Sequence, residues 1–205
     1  MTQDPDEIDG SRGAQTRRSI LSAAVERFAL VGYQSTKVSD IAREVTISPA
    51  AVYSYFPNKR ALFEEAVDHD ASLYIAECFA LLDDETFKLD WATVFVSLIA
   101  GLPTHPLARR VLNGDEGKSI ERLADLPAVA DLRARLAAAL RRGQAQGDIR
   151  ADIDPELMAL GIEAMLMSVL IAIVQVGGEP DAARTAGLLA LLDSALAVPG
   201  GQSEQ

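Results

Sequence analysis

Two short apolar stripes of helical period lie almost end to end in the first third of this chain. Val38, Ile41, Ala42 and Val45 recur at spacings of three and four, which predicts a helix of about two turns. After only Thr46 and Ile47 a second helix opens at Ser48-Pro49 and runs to about Tyr55, with Val52 and Phe56 one turn apart on its inner side. Ser48 offers the side-chain oxygen of a good N-cap, and Pro49 suits the first helical position because its fixed φ and missing N–H cost nothing there. Two short helices joined this tightly make a helix-turn-helix. A third element precedes them, since Ile20, Leu21, Ala24, Val25, Phe28 and Ala29 mark a helix from about Arg18 to a stop at Gly32.

The rest of the chain reads as helix as well. Pro57-Asn58 interrupts the pattern, and Asn58 can cap a fourth helix carrying Leu62, Phe63, Ala66, Val67, Leu73 and Tyr74. Further spans are Leu89 to Leu102, Pro106 to Leu112 and Pro127 to Gln146, separated by glycines and prolines. Asp154-Pro155 opens an eighth helix that ends at Gly177-Gly178, and a ninth follows from Pro180 to Ala197. Alanine and leucine dominate while aromatic residues are only 5% of the chain, so helix formers prevail over strand formers. The expected fold class is all-α, with about nine helices. The helix-turn-helix domain covers 11–58 and a larger helical domain 59–198, with an acidic tail at 1–10 and a short tail at 199–205 expected to be disordered.

A formal net charge of −11 speaks at first against a polyanionic partner. The location of the charge reverses that reading. Residues 11–60 carry eight basic side chains (Arg12, Arg17, Arg18, Arg27, Lys37, Arg43, Lys59, Arg60) against three acidic ones, a net of +5, whereas residues 1–10 carry −4 and the remainder −12. The single cysteine, Cys78, excludes an intramolecular disulfide, and the acidic N-terminus lacks the basic and apolar regions of a signal peptide. A cytoplasmic location is expected.

A helix-turn-helix places the start of its second helix in the DNA major groove, where side chains must be small or hydrogen-bonding. Pro49, Ala50, Ala51, Ser54 and Tyr55 meet that need. Lys37 and Lys59 stand at or near helix N-termini, where the macrodipole disfavours a cation and a nearby phosphate would remove the conflict. The run Gly32-Tyr33-Gln34-Ser35-Thr36-Lys37-Val38-Ser39-Asp40-Ile41-Ala42, followed by Ile47-Ser48-Pro49-Ala50-Ala51-Val52-Tyr53-Ser54-Tyr55-Phe56-Pro57-Asn58-Lys59, resembles the TetR family of bacterial transcriptional regulators. The likeness covers roughly Thr16 to Leu62. It implies phosphate contacts from Lys37, Ser48, Tyr53, Tyr55 and Lys59, and base contacts from Ser39, Pro49, Ala50 and Ser54.

Three departures from the family pattern matter. Thr46 stands where glycine is usual, so a β-branched residue must tolerate a position that often has positive φ. Lys37 replaces the usual N-cap hydroxyl of the second helix, leaving Thr36 or water for its first amides, and Tyr55 replaces a common histidine. The recognition helix has no Arg, Lys, Asn or Gln for bidentate base contacts, so sequence readout should lean on thymine methyls, hydroxyls and DNA deformability.

Leu157 to Val176 is apolar on nearly all sides. Its length would suit a membrane span, but Glu163 lies inside it and no second such segment exists, so a buried helix is the better reading. Such a helix needs partners on two sides. The small residues Ala182, Ala183, Ala186, Gly187 and Ala190 let the ninth helix come close, and a four-helix homodimer interface follows, as in the family the chain resembles.

The resemblance also implies a small-molecule ligand, expected to be apolar, whose binding would release a repressor from a palindromic operator. Candidate lining residues are Tyr74, Cys78, Trp91, Phe95, Leu98, Leu102, His105, Met158, Ile162, Glu163 and Met165. Glu163 either pairs with an internal arginine such as Arg133 or Arg135, or faces the cavity and favours a ligand bearing a positive charge or hydrogen-bond donor. His105, between two prolines, either lines a pocket or faces solvent. Cys78 reads as a small buried residue rather than a redox sensor. A helical enzyme and a purely structural dimer are the competing classes. Asp68-His69-Asp70 is the nearest approach to a catalytic or metal cluster, but it reads as an exposed polar face, and no metal or cofactor is expected.

Overall fold

A computed structural model describes residues 5–80, 90–116, 125–176 and 181–199 of the 205, with side chains described from residue 12 onward. Among the described residues there are nine α-helices and no strand: α1 (Pro5–Ser35), α2 (Val38–Glu44), α3 (Pro49–Tyr55), α4 (Lys59–Phe79), α5 (Trp91–Gly101), α6 (Pro106–Leu112), α7 (Pro127–Gln146), α8 (Pro155–Val176) and α9 (Ala182–Leu196). A single 3₁₀ turn, Leu102–Thr104, joins α5 to α6.

Most boundaries have visible local causes. Pro106, Pro127 and Pro155 open their helices at the positions where a missing N–H is harmless. Asn58, Asp90 and Asp181 each cap a helix through a side-chain oxygen. Gly147 closes α7 in the left-handed region at φ 78°. The stop expected at Gly177-Gly178 and the start expected at Pro180 lie outside the described residues, as do Leu89 and most of the C-terminal tail.

The start of α1 differs from the sequence reading. The helix begins at Pro5 rather than near Arg18, and takes in most of the acidic stretch expected to be disordered. Pro5 sits at its first position, where a missing N–H is harmless. At the other end the helical path breaks at Gly32, with φ 78° and ψ 167°, so the last residues of α1 turn toward α2.

The head of the molecule is built on α1, whose Ile20, Ala24 and Phe28 are fully buried with Ile41 of α2, Val52 of α3 and Leu62 of α4. Phe63 packs edge-on to Phe28 at 5.0 Å and against Tyr33 at 5.0 Å. The head's core thus extends past Asn58 into the first turns of α4. With 21 residues, α4 is a rod of about 30 Å that continues from the head into the body, where it packs on α5, α6 and α7. In the body α7 lies along α8, α6 touches both α1 and α8, and α9 packs on α5.

Candidate nucleic-acid interface and internal cavity

The helix-turn-helix is held from beneath and open above. Val52 and Phe56 are buried in the head's core, Phe56 with the Arg17 guanidinium of α1 over its ring, while Ser48, Pro49, Ala50, Tyr53 and Ser54 are exposed and Tyr55 is half-buried. Ser48 Oγ accepts the Ala51 amide at 3.1 Å and so fixes the N-terminus of α3. The Ser54 hydroxyl donates to the Ala51 carbonyl at 2.7 Å, which leaves its lone pairs facing outward as acceptors. Small side chains at 49–51 let the α3 backbone approach a base edge closely.

Lys37 and Ser39, at the start of α2, are exposed. Lys59 is half-buried: its Nζ donates to the Gln34 carbonyl at 3.2 Å and lies 4.6 Å from the centre of the Tyr33 ring. The sequence signal for Lys59 therefore has a structural component, because this ammonium also fastens α4 to the α1–α2 connection. Of the two alternatives for the first amides of α2, Thr36 or water, Thr36 is not the one realised. Its hydroxyl donates back to the Gly32 carbonyl at 2.8 Å, and no side chain caps the α2 N-terminus. Thr46 takes φ 57°, the left-handed conformation foreseen from the glycine it replaces. Arg27 of α1 steadies α2 through ion pairs to Asp40 and Glu44.

A second feature lies in the body. An apolar cavity of about 50 Å³ lies among α4, α5, α6, α7 and α8. Val67, Ala71 and Ile75 line it from α4, Val111 and Leu112 from α6, and Met167 and Leu170 from α8. Of the ligand-site residues named from sequence, Tyr74, Leu98 and Glu163 are in its wall. Cys78, Trp91, Phe95, Leu102, His105 and Ile162 are buried elsewhere, and Met158 and Met165 are half-buried at the core margin. The residues not foreseen, such as Val111, Leu132 and Met167, are ordinary aliphatic side chains whose sequence signal does not distinguish cavity wall from filled core.

Glu163 is buried, and Arg133 Nε reaches its Oε2 at 2.5 Å, so the internal-pair alternative is realised; Arg135 instead pairs with Asp131. The Tyr74 hydroxyl donates to the Leu98 carbonyl, and burial raises its pKa well above the usual phenol range. Burial likewise pushes the Cys78 thiol up to about 11, and its Sγ lies 3.3 Å from the Ser97 carbonyl. A neutral, enclosed thiol of this kind is a core residue, not a reactive one.

Asp68-His69-Asp70 is not the exposed polar face expected. Asp70 is buried on α4 and accepts the Leu107 and Ala108 amides at 3.1 and 2.8 Å, capping α6 from another helix. Its other oxygen meets His105 Nδ1 at 3.0 Å, while His105 Nε2 lies 3.2 Å from Glu77. Two residues earlier, Asp68 accepts the Ala128 amide at 3.0 Å at the start of α7. Among the described residues no three His, Cys, Asp or Glu side chains converge as a metal site.

Beyond α6 a carboxylate links body to head. Glu116 accepts the Tyr33 amide at 3.0 Å and pairs with Arg110 at 2.5 Å. It does so beside Gly32, where a Cβ would lie 2.7 Å from Arg110 Nη2.

Comparison with known proteins agrees with this architecture. The model of the bacterial regulatory proteins of the tetR family matches residues 20–66, and that of the tetracyclin repressor-like C-terminal domain matches residues 113–187. The HTH-type transcriptional regulator YdgC of Bacillus subtilis is 24% identical over 196 residues, covering 89% of this chain and 93% of its own. The transcriptional regulator AcuR of Cereibacter sphaeroides is 28% identical over 151 residues, 69% of this chain and 68% of that one. A TetR-family transcriptional regulator from Pectobacterium atrosepticum superposes with a TM-score of 0.65 at 22% identity, covering 94% of this chain and 95% of that one. SmeT, the repressor of the Stenotrophomonas maltophilia multidrug efflux pump SmeDEF, superposes with a TM-score of 0.56 at 23% identity, over 92% and 96% of the two chains. With an exposed recognition helix on a basic head, and with family matches to both head and body, the chain belongs to the TetR family and is a DNA-binding transcriptional regulator.

Proposed function

We propose that the protein is a repressor that grips a roughly palindromic operator as a homodimer and releases it when a small apolar molecule enters the cavity of the body. The observation that carries this reading is the continuity of α4, which contributes Leu62 and Phe63 to the head's core and Val67, Ala71, Tyr74 and Ile75 to the cavity wall. A ligand that widens the cavity favours a different placement of this rod, and the head moves with it. The caps that Asp70 and Asp68 supply to α6 and α7 make α4 the common anchor of both helices. Release requires that the ligand bind the two placements with different affinities.

In the DNA complex, Lys37, Ser48, Tyr53, Tyr55 and Lys59 hold phosphates, while Ser39, Pro49, Ala50 and Ser54 approach base edges. Two copies joined through α8 and α9 present their recognition helices to successive major grooves about 34 to 36 Å apart. The apolar side chains left open on those helices support this arrangement, Leu157 and Leu191 each being 69% exposed and Val176 83%. The chemistry is binding rather than catalysis, and the place of work is the chromosome in the cytoplasm.

The test is a mobility shift with the intergenic DNA beside the protein's own gene, at several salt concentrations and with candidate metabolites. Lys37→Ala is the cleaner probe of phosphate contact, because Lys59 also binds Gln34 and Tyr33 within the fold. Lys37→Ala should weaken binding to all sequences and lower the salt slope by about one. An unchanged slope would remove Lys37 from the interface.

A further inference from the structure

The polar groups in the cavity wall are turned to partners inside the protein. The Tyr74 hydroxyl donates to the Leu98 carbonyl, and Arg133 Nε donates to Glu163 Oε2 at 2.5 Å. Although Tyr74 and Glu163 belong to the wall, the surface that the wall offers a guest is apolar throughout. Among the described residues no buried side-chain nitrogen or oxygen lacks a hydrogen-bond partner, so none waits for a ligand to satisfy it. A hydroxyl, amide or charge carried into the chamber would leave water and find nothing to bond, a cost that an apolar group does not meet.

Size decides how much of a guest fits. At about 50 Å³ the chamber is far smaller than the roughly 150 Å³ cavity that accommodates benzene, so even one ring must force the walls apart. The end of an unbranched chain is slimmer and needs less room. The chamber is not sealed from the surface, since Ala71 on α4, Leu126 before α7 and Met167 on α8 line it and are only half-buried. A guest with its end inside can therefore keep its remaining atoms, polar ones included, toward water. Met167, flexible and polarizable, is the wall element best able to close around such an end.

Resting on the effector-site reading above, we infer that the cavity takes the end of an unbranched alkyl chain, a terminus of carbon and hydrogen alone, and leaves any polar head outside. Where a guest carries its polar group then decides affinity. Such a terminus belongs equally to a free hydrocarbon and to an amphiphile.

Four five-carbon probes test this: pentane, pentan-1-ol, pentane-1,2-diol and pentane-1,5-diol. Each is titrated into the full-length protein labelled with ¹³C in the methionine methyl groups, and the Met167 resonance reports occupancy of the cavity. The two diols are isomers with the same polar groups, but only the 1,2-isomer keeps a bare alkyl end. It should bind at least about tenfold tighter than the 1,5-isomer, which has to bury an unpartnered hydroxyl. Equal affinities of the diols would overturn the inference and leave the effector cavity standing. Pentane and pentan-1-ol separate the two sources of the chain end. Equal affinity assigns the site to the hydrocarbon itself and tighter binding of the alcohol to an amphiphile, and both results support the inference. An alcohol bound about tenfold more weakly than pentane would show its head drawn inside, against the inference. Ala71→Leu fills the chamber from α4 and should weaken pentan-1-ol about tenfold. Unchanged affinity in the folded variant would place the alcohol elsewhere, and if the variant does not fold, the diols in the parent protein still decide. If none of the four probes moves the Met167 resonance, the cavity is not a binding site and the effector-site reading falls with the inference.

Discussion

Thr46 carries a strain that its neighbours do not. A β-branched side chain at φ 57° crowds its own backbone, at a cost of about 1–2 kcal/mol relative to a residue without Cβ. Replacing it with glycine removes that crowding while adding flexibility to the unfolded chain, and the first effect is the larger at a left-handed position. Thr46→Gly should therefore stabilise the protein by about 1 kcal/mol, read as a rise of a few degrees in thermal unfolding. A fall in Tm would mean that the Thr46 side chain makes a compensating contact. Cys78 supplies a prediction in pH. Its folded thiol, pushed up to about 11, holds its proton more tightly than the unfolded thiol near 9. The stability this represents is fully present below about 9 and is lost as pH rises toward 11. Urea midpoints of the parent should fall faster than those of Cys78→Ala between pH 9 and 11, and parallel curves would contradict the burial of the thiol. Both residues were legible in the sequence, because each is read against a local rule: a missing glycine in a tight turn, and a lone cysteine in a helical pattern.

Between helices the sequence was less informative, and Asp68 and Asp70 show why. Seen along α4 they resemble solvent-facing charges, since a cap on another helix leaves no trace in the spacing of the helix that provides it. Asp70 accepts two amides of α6 and holds His105, all in a buried setting. Asp70→Ala should cost roughly 3 kcal/mol, because it strands three buried donors, whereas Asp68→Ala should cost about 1 kcal/mol, as for a single lost cap. Equal losses in urea unfolding would deny the difference in burial. The cavity was misjudged for a related reason. Sequence favours large or flexible side chains, hence Trp91, Phe95, Met158 and Met165, but the phase with which α7 and α8 meet decides which side chains face the gap. That phase turns Ile162 into filled core and brings Glu163, Leu166, Met167 and Leu170 to the wall. By contrast, the limits of α6 and α7 were legible, since proline fixes where each begins.

At the scale of the whole molecule, charge and apolar surface divide the labour. The body carries the negative charge and α8 and α9 present an apolar face, so a second copy is the expected neighbour there and DNA the expected neighbour of the basic head. Light scattering at micromolar concentration should return the mass of a dimer. Leu157→Glu together with Leu191→Glu should shift it to a monomer and weaken operator binding by about a hundredfold or more, because the second half-site is no longer tethered. A double variant that stays dimeric would place the interface elsewhere. The junction of head and body has a practical consequence of its own. Tyr33 lends its amide to Glu116, and Gly32 leaves room for Arg110, so the two parts share a fitted joint between segments about eighty residues apart in the chain. Anyone building a hybrid regulator by transplanting this head onto another body has a seam at Pro57-Asn58 that looks convenient and is incomplete. The graft should carry Arg110 and Glu116 with it, or the transplanted head will read its DNA without hearing from the new body.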